Sequence, residues 1–395
     1  MKQTYYLDYN ATTPVAPEVW QQMEPLLREQ YGNPSSVHHS GKAASKVVRQ
    51  ARVKVAELLG ADEREIIFTS CGSESNNAAI RSALATNPGK KQIVTSRVEH
   101  SSVKKLGKYL TEEGYEFYEV GVTAQGFLNI DELRHVVSEK TAIVSLMLAN
   151  NETGVFFPVN EIGGFLKEKG IMFHVDGVQA VGKHPLNLKE SPVDFFSASA
   201  HKLYGPKGIG CLYVKKNTPF RPFIAGGSQE RGRRAGTENV AGIAGFGAAC
   251  ELALKDLPEE IQRLKSLRRY FEDTLMKGPH GIVVNGDLNR RLPTTSNLRF
   301  PGVDGESLLM ALDQKGICIS SGSACTSGST EPSHVLKAMG LTDDESKSSV
   351  RFSFGRYTTE ETIREVLVIL QDTLGALKES SKRNRLMEPR PEAAF

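Results

Sequence analysis

The chain has 395 residues, 39% of them hydrophobic and 24% charged, the profile of a globular protein longer than one typical domain. Its 49 basic and 46 acidic residues leave a net charge of +3 with no long single-sign block, so it carries no electrostatic footprint for nucleic acid. The opening MKQTYYLDYNATTP lacks the apolar core of a signal peptide. The longest apolar run, around 142–149, is far short of the roughly 18 residues a membrane span needs.

In chain order, a helix is predicted from residue 43 onward, where Ala44, Val47, Val48, Ala51, Val55, Leu58 and Leu59 keep helical spacing and Gly60 supplies a C-terminal cap. Short apolar runs follow at 66–69, 93–96, 142–148, 171–175, 193–197 and 209–214. Helical segments separate most of them, such as 160–169 with Ile162, Phe165 and Leu166. This alternation predicts an α/β fold with a mostly parallel sheet covered by helices. A long helical stretch, 241–276 with a break at Pro258, then leads into a second domain. Its elements are 295–300, a helix at 306–315, strands at 316–320 and 349–354, and a closing helix at 359–378. The expected division is a large domain over 15–257, a smaller α+β domain from 1–14 and 258–378, and a polar, mobile or partner-binding tail over 379–395.

Cys71, Cys211, Cys250, Cys318 and Cys325 are odd in number and widely scattered. With no CxxC pair or Cys/His cluster they argue against structural zinc and for a reducing cytoplasm. Cys211 and Cys250 sit in apolar or Ala-rich segments and read as small core residues. Cys325 differs, because it lies in SSGSACTSGSTEP (320–332), which has little apolar surface to bury. That setting suits an exposed, mobile nucleophile or sulfur carrier. An incidental loop cysteine has the same composition.

In an open parallel sheet, ligands bind beyond the carboxyl ends of the strands. After 66–69 the turn SCGSESNN (70–77) opens a helix, where Gly72 and Ser73 would offer donors to an anion; simple capping explains them as well. After 93–96 comes His100, a functional imidazole or a capping one. Asn150 and Asn151 follow the next run and could orient a ligand or only form a turn. Asp176 and Gln179 follow 171–175, and a carboxylate there is costly to bury unless it meets a cation. Ser199, His201 and Lys202 follow 193–197. A solvated loop lysine is the plain reading, yet it leaves the recurrence of Asp176 and His201 at one sheet edge unexplained.

A lysine that forms a Schiff base needs an aldehyde cofactor, a ring nitrogen needs an acid, and a phosphate needs a small-residue helix start. That set describes pyridoxal 5′-phosphate. Lys202 would hold the aldehyde carbon and Asp176 the ring nitrogen. Gly72, Ser73, Ser199 and His201 would hold the phosphate. His100 would lie against the ring face, with Gln179 near the phenolic oxygen and Asn151 on the ring. In SVRFSF (349–354), alternation places Val350, Phe352 and Phe354 on one face and Arg351 on the other. There Arg351 is either a substrate-carboxylate clamp or a surface arginine.

With YLDYNATTP (6–14), GNPSS (32–36), EH (99–100), NNETG (150–154), HVDGVQAVGK (174–183), SAHK (199–202), RRAGTEN (233–239), SSGSACTS (320–327) and RFSFGR (351–356), the chain resembles the cysteine desulfurases. These belong to the fold-type I, class V aminotransferase-like pyridoxal-phosphate enzymes, and the likeness runs essentially end to end. It is nearest to the nitrogen-fixation (NifS) branch, through ERGRRAGTEN (230–239) and the final EAAF. Ser73, where threonine is common, and the Asn76–Asn77 pair, where an Asp often stands, are small departures.

The resemblance implies a seven-stranded, mostly parallel sheet and a homodimer in which Thr237 reaches the phosphate of the partner's cofactor. It also implies a reaction. L-Cysteine takes the place of Lys202, the freed amine shuttles the Cα proton, and Cys325 attacks the substrate sulfur with His100 as proton carrier. Alanine and a Cys325 persulfide result. The sulfur would pass to an iron–sulfur scaffold protein, in nitrogenase-related cluster assembly. No resident metal is implied, and Cys325 would touch a cluster only in passing, through its persulfide. The alternatives are an aminotransferase or selenocysteine lyase, which needs no thiol in such a segment, and a non-catalytic scaffold, which binds no yellow cofactor.

Overall fold

The computed structural model describes residues 4–322 and 331–387. Seven strands form one sheet in the spatial order Ile66–Thr69, Gly210–Val214, Phe195–Ser199, Met172–Asp176, Thr141–Met147, Gln92–Ser96, Glu116–Val120. Six of them run parallel, and only Gly210–Val214 is antiparallel to its two neighbours. The apolar runs of the sequence correspond to strands because both sheet faces are covered, which favours continuous Val/Ile/Leu stretches. Val94, Val144 and Phe68 face one core, while Ile67, Ile93 and Ile143 face another on the opposite side. Burial raises the thiols of Cys211 and Cys250, both core residues as expected.

The strand Glu116–Val120 has no counterpart among the expected runs. It is an edge strand, exposed at alternate residues, and its two glutamates disguise the period. The helix His39–Leu59 ends as expected at Gly60, which adopts the left-handed conformation (φ 60°) that ends helices without a Cβ penalty.

A third core surrounds the antiparallel strands Val283–Val284, Thr295–Arg299 and Ser349–Ser353 and includes Leu7 from the start of the chain. The helix Val240–Met276 is unbroken at Pro258, contrary to the expected interruption. Leu254, whose carbonyl loses its helical donor there, is 44% exposed, so water can replace the missing bond. This one helix packs Ile243, Phe246 and Cys250 into the first core and Leu264, Phe271 and Leu275 into the third.

The closing helix runs Glu360–Met387, into the segment expected to be a tail. That stretch lacks an apolar period but is rich in helix formers and meets no proline until Pro389. No helix among the described residues is long and apolar enough to cross a membrane.

A strained segment is tied to the sheet by a buried ion pair. Glu230 and Arg231 have φ of 47° and 60°, values that side-chain-bearing residues avoid. Glu230 accepts from Arg52 Nη2 at 2.6 Å, Arg52 Nη1 at 2.7 Å and the Phe68 amide at 2.9 Å. Removing one partner of such a pair strands a buried charge, which costs about 3–5 kcal/mol. Glu230→Ala should therefore lower the denaturant midpoint by that equivalent with an unchanged slope, measured by urea titration.

Candidate active site

Ten of the sequence-selected residues line one cavity of about 490 Å³: Gly72, Ser73, His100, Asn151, Asp176, Gln179, Ser199, His201, Lys202 and Arg351. It opens at the carboxyl ends of Met172–Asp176 and Phe195–Ser199, where the sheet supplies Asp176 and Ser199 as last strand residues. Cys325 lies outside the described residues. Thr237 does not line this cavity; it is exposed and borders a separate depression with Glu230 and Arg234.

Asp176 is 6% exposed, and its carboxylate accepts from Asn76 Nδ2 at 2.7 Å and the Val178 amide at 3.0 Å. Among the described residues no cationic side chain forms an ion pair with it. Lys202 Nζ donates to the main-chain carbonyls of Asn10 at 2.5 Å and Ala11 at 2.7 Å. Asn10 O also accepts from Gln179 Nε2 at 3.0 Å, and Lys183 Nζ reaches Gln179 Oε1 at 3.4 Å. Burial, reinforced by Lys202 and Arg351, pulls Lys183 down to about 7.

The helix Gly72–Thr86 starts without a side-chain cap, so capping does not account for its small-residue start, and its first amides stay available to an anion. A Cβ on Gly72 would meet Val178 Cγ2 at 2.6 Å, so the wall closes on glycine there. Ser199 Oγ is buried with no hydrogen-bond partner. His201 is pulled down to about 4, first by burial and then by Lys202, Lys207 and Lys183, so its ring is neutral at pH 7.

For His100 the capping reading holds, and the residue also borders the cavity. Its Nδ1 accepts from the Ser102 amide at 3.2 Å, capping the helix Ser101–Glu112, and the ring lines the cavity. Beside it, burial pushes Glu99 up to about 8 although Ser96 Oγ and the Met147 amide donate to it. Asn150 is the turn former, its Oδ1 accepting from the Glu152 and Thr153 amides, which leaves Asn151 to the cavity.

Arg351 is 1% exposed, and its fork is already engaged. Nη2 pairs with Asp8 at 2.8 Å, and Nη1 donates to the carbonyls of Asn151 at 3.0 Å and Gly322 at 3.2 Å. A buried guanidinium must be satisfied in this way. Only Nε lacks a partner.

Sequence reasoning assigned no role to Asn10, Asn76 or His334, which also line the cavity. His334 donates Nε2–H to the Glu99 carbonyl at 3.0 Å. None of the three lies at a strand end, the signal that located the others apart from Arg351, which the strand alternation singled out. Among the described residues no group of three or more His, Cys, Asp or Glu could hold a metal ion.

Residues 5–366 match the aminotransferase class-V family. The chain is 52% identical over 373 residues to a cysteine desulfurase of Trichormus azollae, covering 94% of this chain and 93% of that one. It is 47% identical to the cysteine desulfurase NifS of Azotobacter vinelandii, over 92% and 90% of the two chains. A solved structure of a NifS-like protein superposes with a TM-score of 0.90 at 38% identity, covering 95% of this chain and all of that one.

Proposed function

We propose how this site works on the premise that the chain belongs to the class-V aminotransferase family and, within it, to the NifS-type cysteine desulfurases that serve iron–sulfur cluster assembly. The cofactor is pyridoxal 5′-phosphate, the substrate L-cysteine, and Cys325 the thiol that receives the sulfur. The observation that carries this reading is a buried carboxylate, Asp176, with no ion-pair partner among the described residues, sharing one cavity with Lys202 and an uncapped helix start.

The residues fit the cofactor. Asp176 would keep a proton on the ring nitrogen, the cation its burial requires. The Gly72–Ser73 amides, the unpaired Ser199 hydroxyl and neutral His201 would hold the phosphate. His100 would cover the ring face, with Gln179 at the phenolic oxygen and Asn151 on the ring. When bound, the cofactor supplies an aldehyde carbon that takes an amine and a protonated ring that draws electrons from Cα.

The chain's own groups do the rest. Arg351 binds the substrate carboxylate through Nε, exchanging carbonyl contacts for it. Lys202 Nζ, released from Asn10 O and Ala11 O, takes the Cα proton. The Cys325 thiolate attacks the substrate sulfur. The Cβ–S bond breaks, its electron pair stays with the three-carbon fragment, and Cβ takes a proton delivered by His100. Lys202 Nζ returns a proton to Cα, alanine leaves, and a persulfide remains on Cys325. A free thiol has a pKa near 8.5, so Cys325 needs help to ionise at neutral pH.

Thr237 belongs to the partner's site in a homodimer. Its exposure, on a segment fastened by the Arg52–Glu230 and Glu74–Arg234 pairs, supports this reading. An iron–sulfur scaffold protein, in the cytoplasm, takes the sulfur from Cys325.

Mixing the purified protein with L-cysteine should give alanine, sulfide and a Cys325 peptide heavier by one sulfur. Cys325→Ala should keep the visible cofactor absorbance and lose both sulfide and persulfide, with turnover down at least about 10²-fold. Full sulfide release by that variant would sink the assignment of Cys325.

A further inference from the structure

Four buried polar atoms on residues lining the cavity have no hydrogen-bond partner: Ser199 Oγ, Asn76 Oδ1, Asn10 Oδ1 and Arg351 Nε. The first two belong to the cofactor end. Ser199 lies beside Gly72, and the Asn76 amide donates to Asp176. The other two meet elsewhere, at the main-chain oxygen of Asn151, which accepts from Arg351 Nη1 at 3.0 Å and from Asn10 Nδ2 at 3.2 Å.

That oxygen fixes the Asn10 amide. A carbonyl only accepts, so Nδ2 must face it, and Nδ2 donates as well to Thr295 Oγ1 at 2.8 Å. Oδ1 is thereby left as an acceptor without a partner on a residue only 1% exposed, a costly arrangement unless a ligand fills it. Arg351 Nε is the matching donor. One unpaired donor on a cation and one unpaired acceptor, on residues joined through a single carbonyl, suit a ligand with an anion and a cation on neighbouring atoms. A zwitterionic α-amino acid is such a ligand. The main chain of Asn10 also holds Lys202 Nζ, the amine that the substrate's amine must replace.

We propose that Asn10 Oδ1 accepts a hydrogen bond from the α-ammonium group of the incoming substrate while Arg351 holds its carboxylate. Asn10 is then the residue that selects α-amino acids over thiol acids lacking the amine. This inference rests on the cofactor reading of Lys202 above.

The test uses holoenzyme reduced with borohydride, which ties Lys202 to the cofactor and stops turnover. L-Cysteine and 3-mercaptopropionate, which lacks the amine, are titrated into it by calorimetry. The wild type should prefer L-cysteine. Asn10→Ala should weaken L-cysteine about 10–100-fold and leave 3-mercaptopropionate unchanged, the range for losing a hydrogen bond to a charged group. Asn10→Asp keeps an acceptor and adds negative charge but sets an oxygen against the Asn151 carbonyl, so both ligands should weaken, the thiol acid, with no cation to offset the charge, more than L-cysteine. A merely structural role for Asn10 moves both ligands together. Equal changes for the two ligands in both variants, no change in either, or equal wild-type affinities overturn the proposal. Absence of any absorbance change on reduction overturns the cofactor reading, and this inference with it.

Discussion

Replacing Lys202 with alanine should cut alanine and sulfide release by about 10³-fold or more while the protein still takes up pyridoxal phosphate. Two losses combine. Removing a positioned proton carrier costs about 10²–10⁴ in rate, and the amine that fixes the cofactor covalently goes with it. The remaining cradle is untouched, because Asp176 is held by Asn76 and Val178, and Ser199 and the Gly72 helix start are placed by the sheet and its helix rather than by Lys202. Dialysis followed by an absorbance spectrum should show bound cofactor that is no longer covalently attached. Lys202→Arg should not rescue turnover, since a guanidinium stays protonated and cannot accept the Cα proton. Turnover within tenfold of the wild type would remove Lys202 from the mechanism.

Asp176→Asn should have the next largest effect, a fall in turnover of about 10- to 10³-fold. An opposite charge within hydrogen-bonding reach shifts a pKa by about 1–3 units, so the neutral amide would let the bound ring nitrogen lose its proton that much more readily. The sign follows from the charge. The carboxylate favours the protonated ring, so its loss lowers the ring pKa, and the deficit should grow as pH rises. Spectrophotometric titration of the bound cofactor separates this from a folding defect, which would not move the ring's titration. A variant with an unshifted titration and normal turnover would show that the buried carboxylate has another purpose.

The strand ends were the legible part of this site. Asp176, Ser199 and Lys202 are polar residues that interrupt or follow apolar runs, and the period-2 alternation around Arg351 separated it from Phe352 and Phe354. Asn10 and His334 were not legible, because each acts through contacts some 140 to 340 residues away in sequence, to Asn151 and Ser353 in one case and to Glu99 in the other. No local pattern records such pairings. The fold failed to read through at Glu116–Val120, at Pro258 and beyond Lys378 for separate reasons: a half-wet edge strand, a proline on a wet helix face, and helix propensity without an apolar stripe. The engaged fork of Arg351 was also unreadable, since Asp8 lies 343 positions before it.

The start of the chain has a consequence for synthesis. Tyr5–Tyr6 pairs with Ile317–Cys318, the Asn10 amide donates to Ser353, and the carbonyls that hold Lys202 belong to Asn10 and Ala11. On the ribosome, Asn10 and Ala11 must therefore wait for the strand Ser349–Ser353 before the lysine's seat is fixed. At about 5–20 residues per second that interval is on the order of tens of seconds. Until then the amine lacks the seat that the two carbonyls provide, so the site is completed only after every strand of the large sheet has been made.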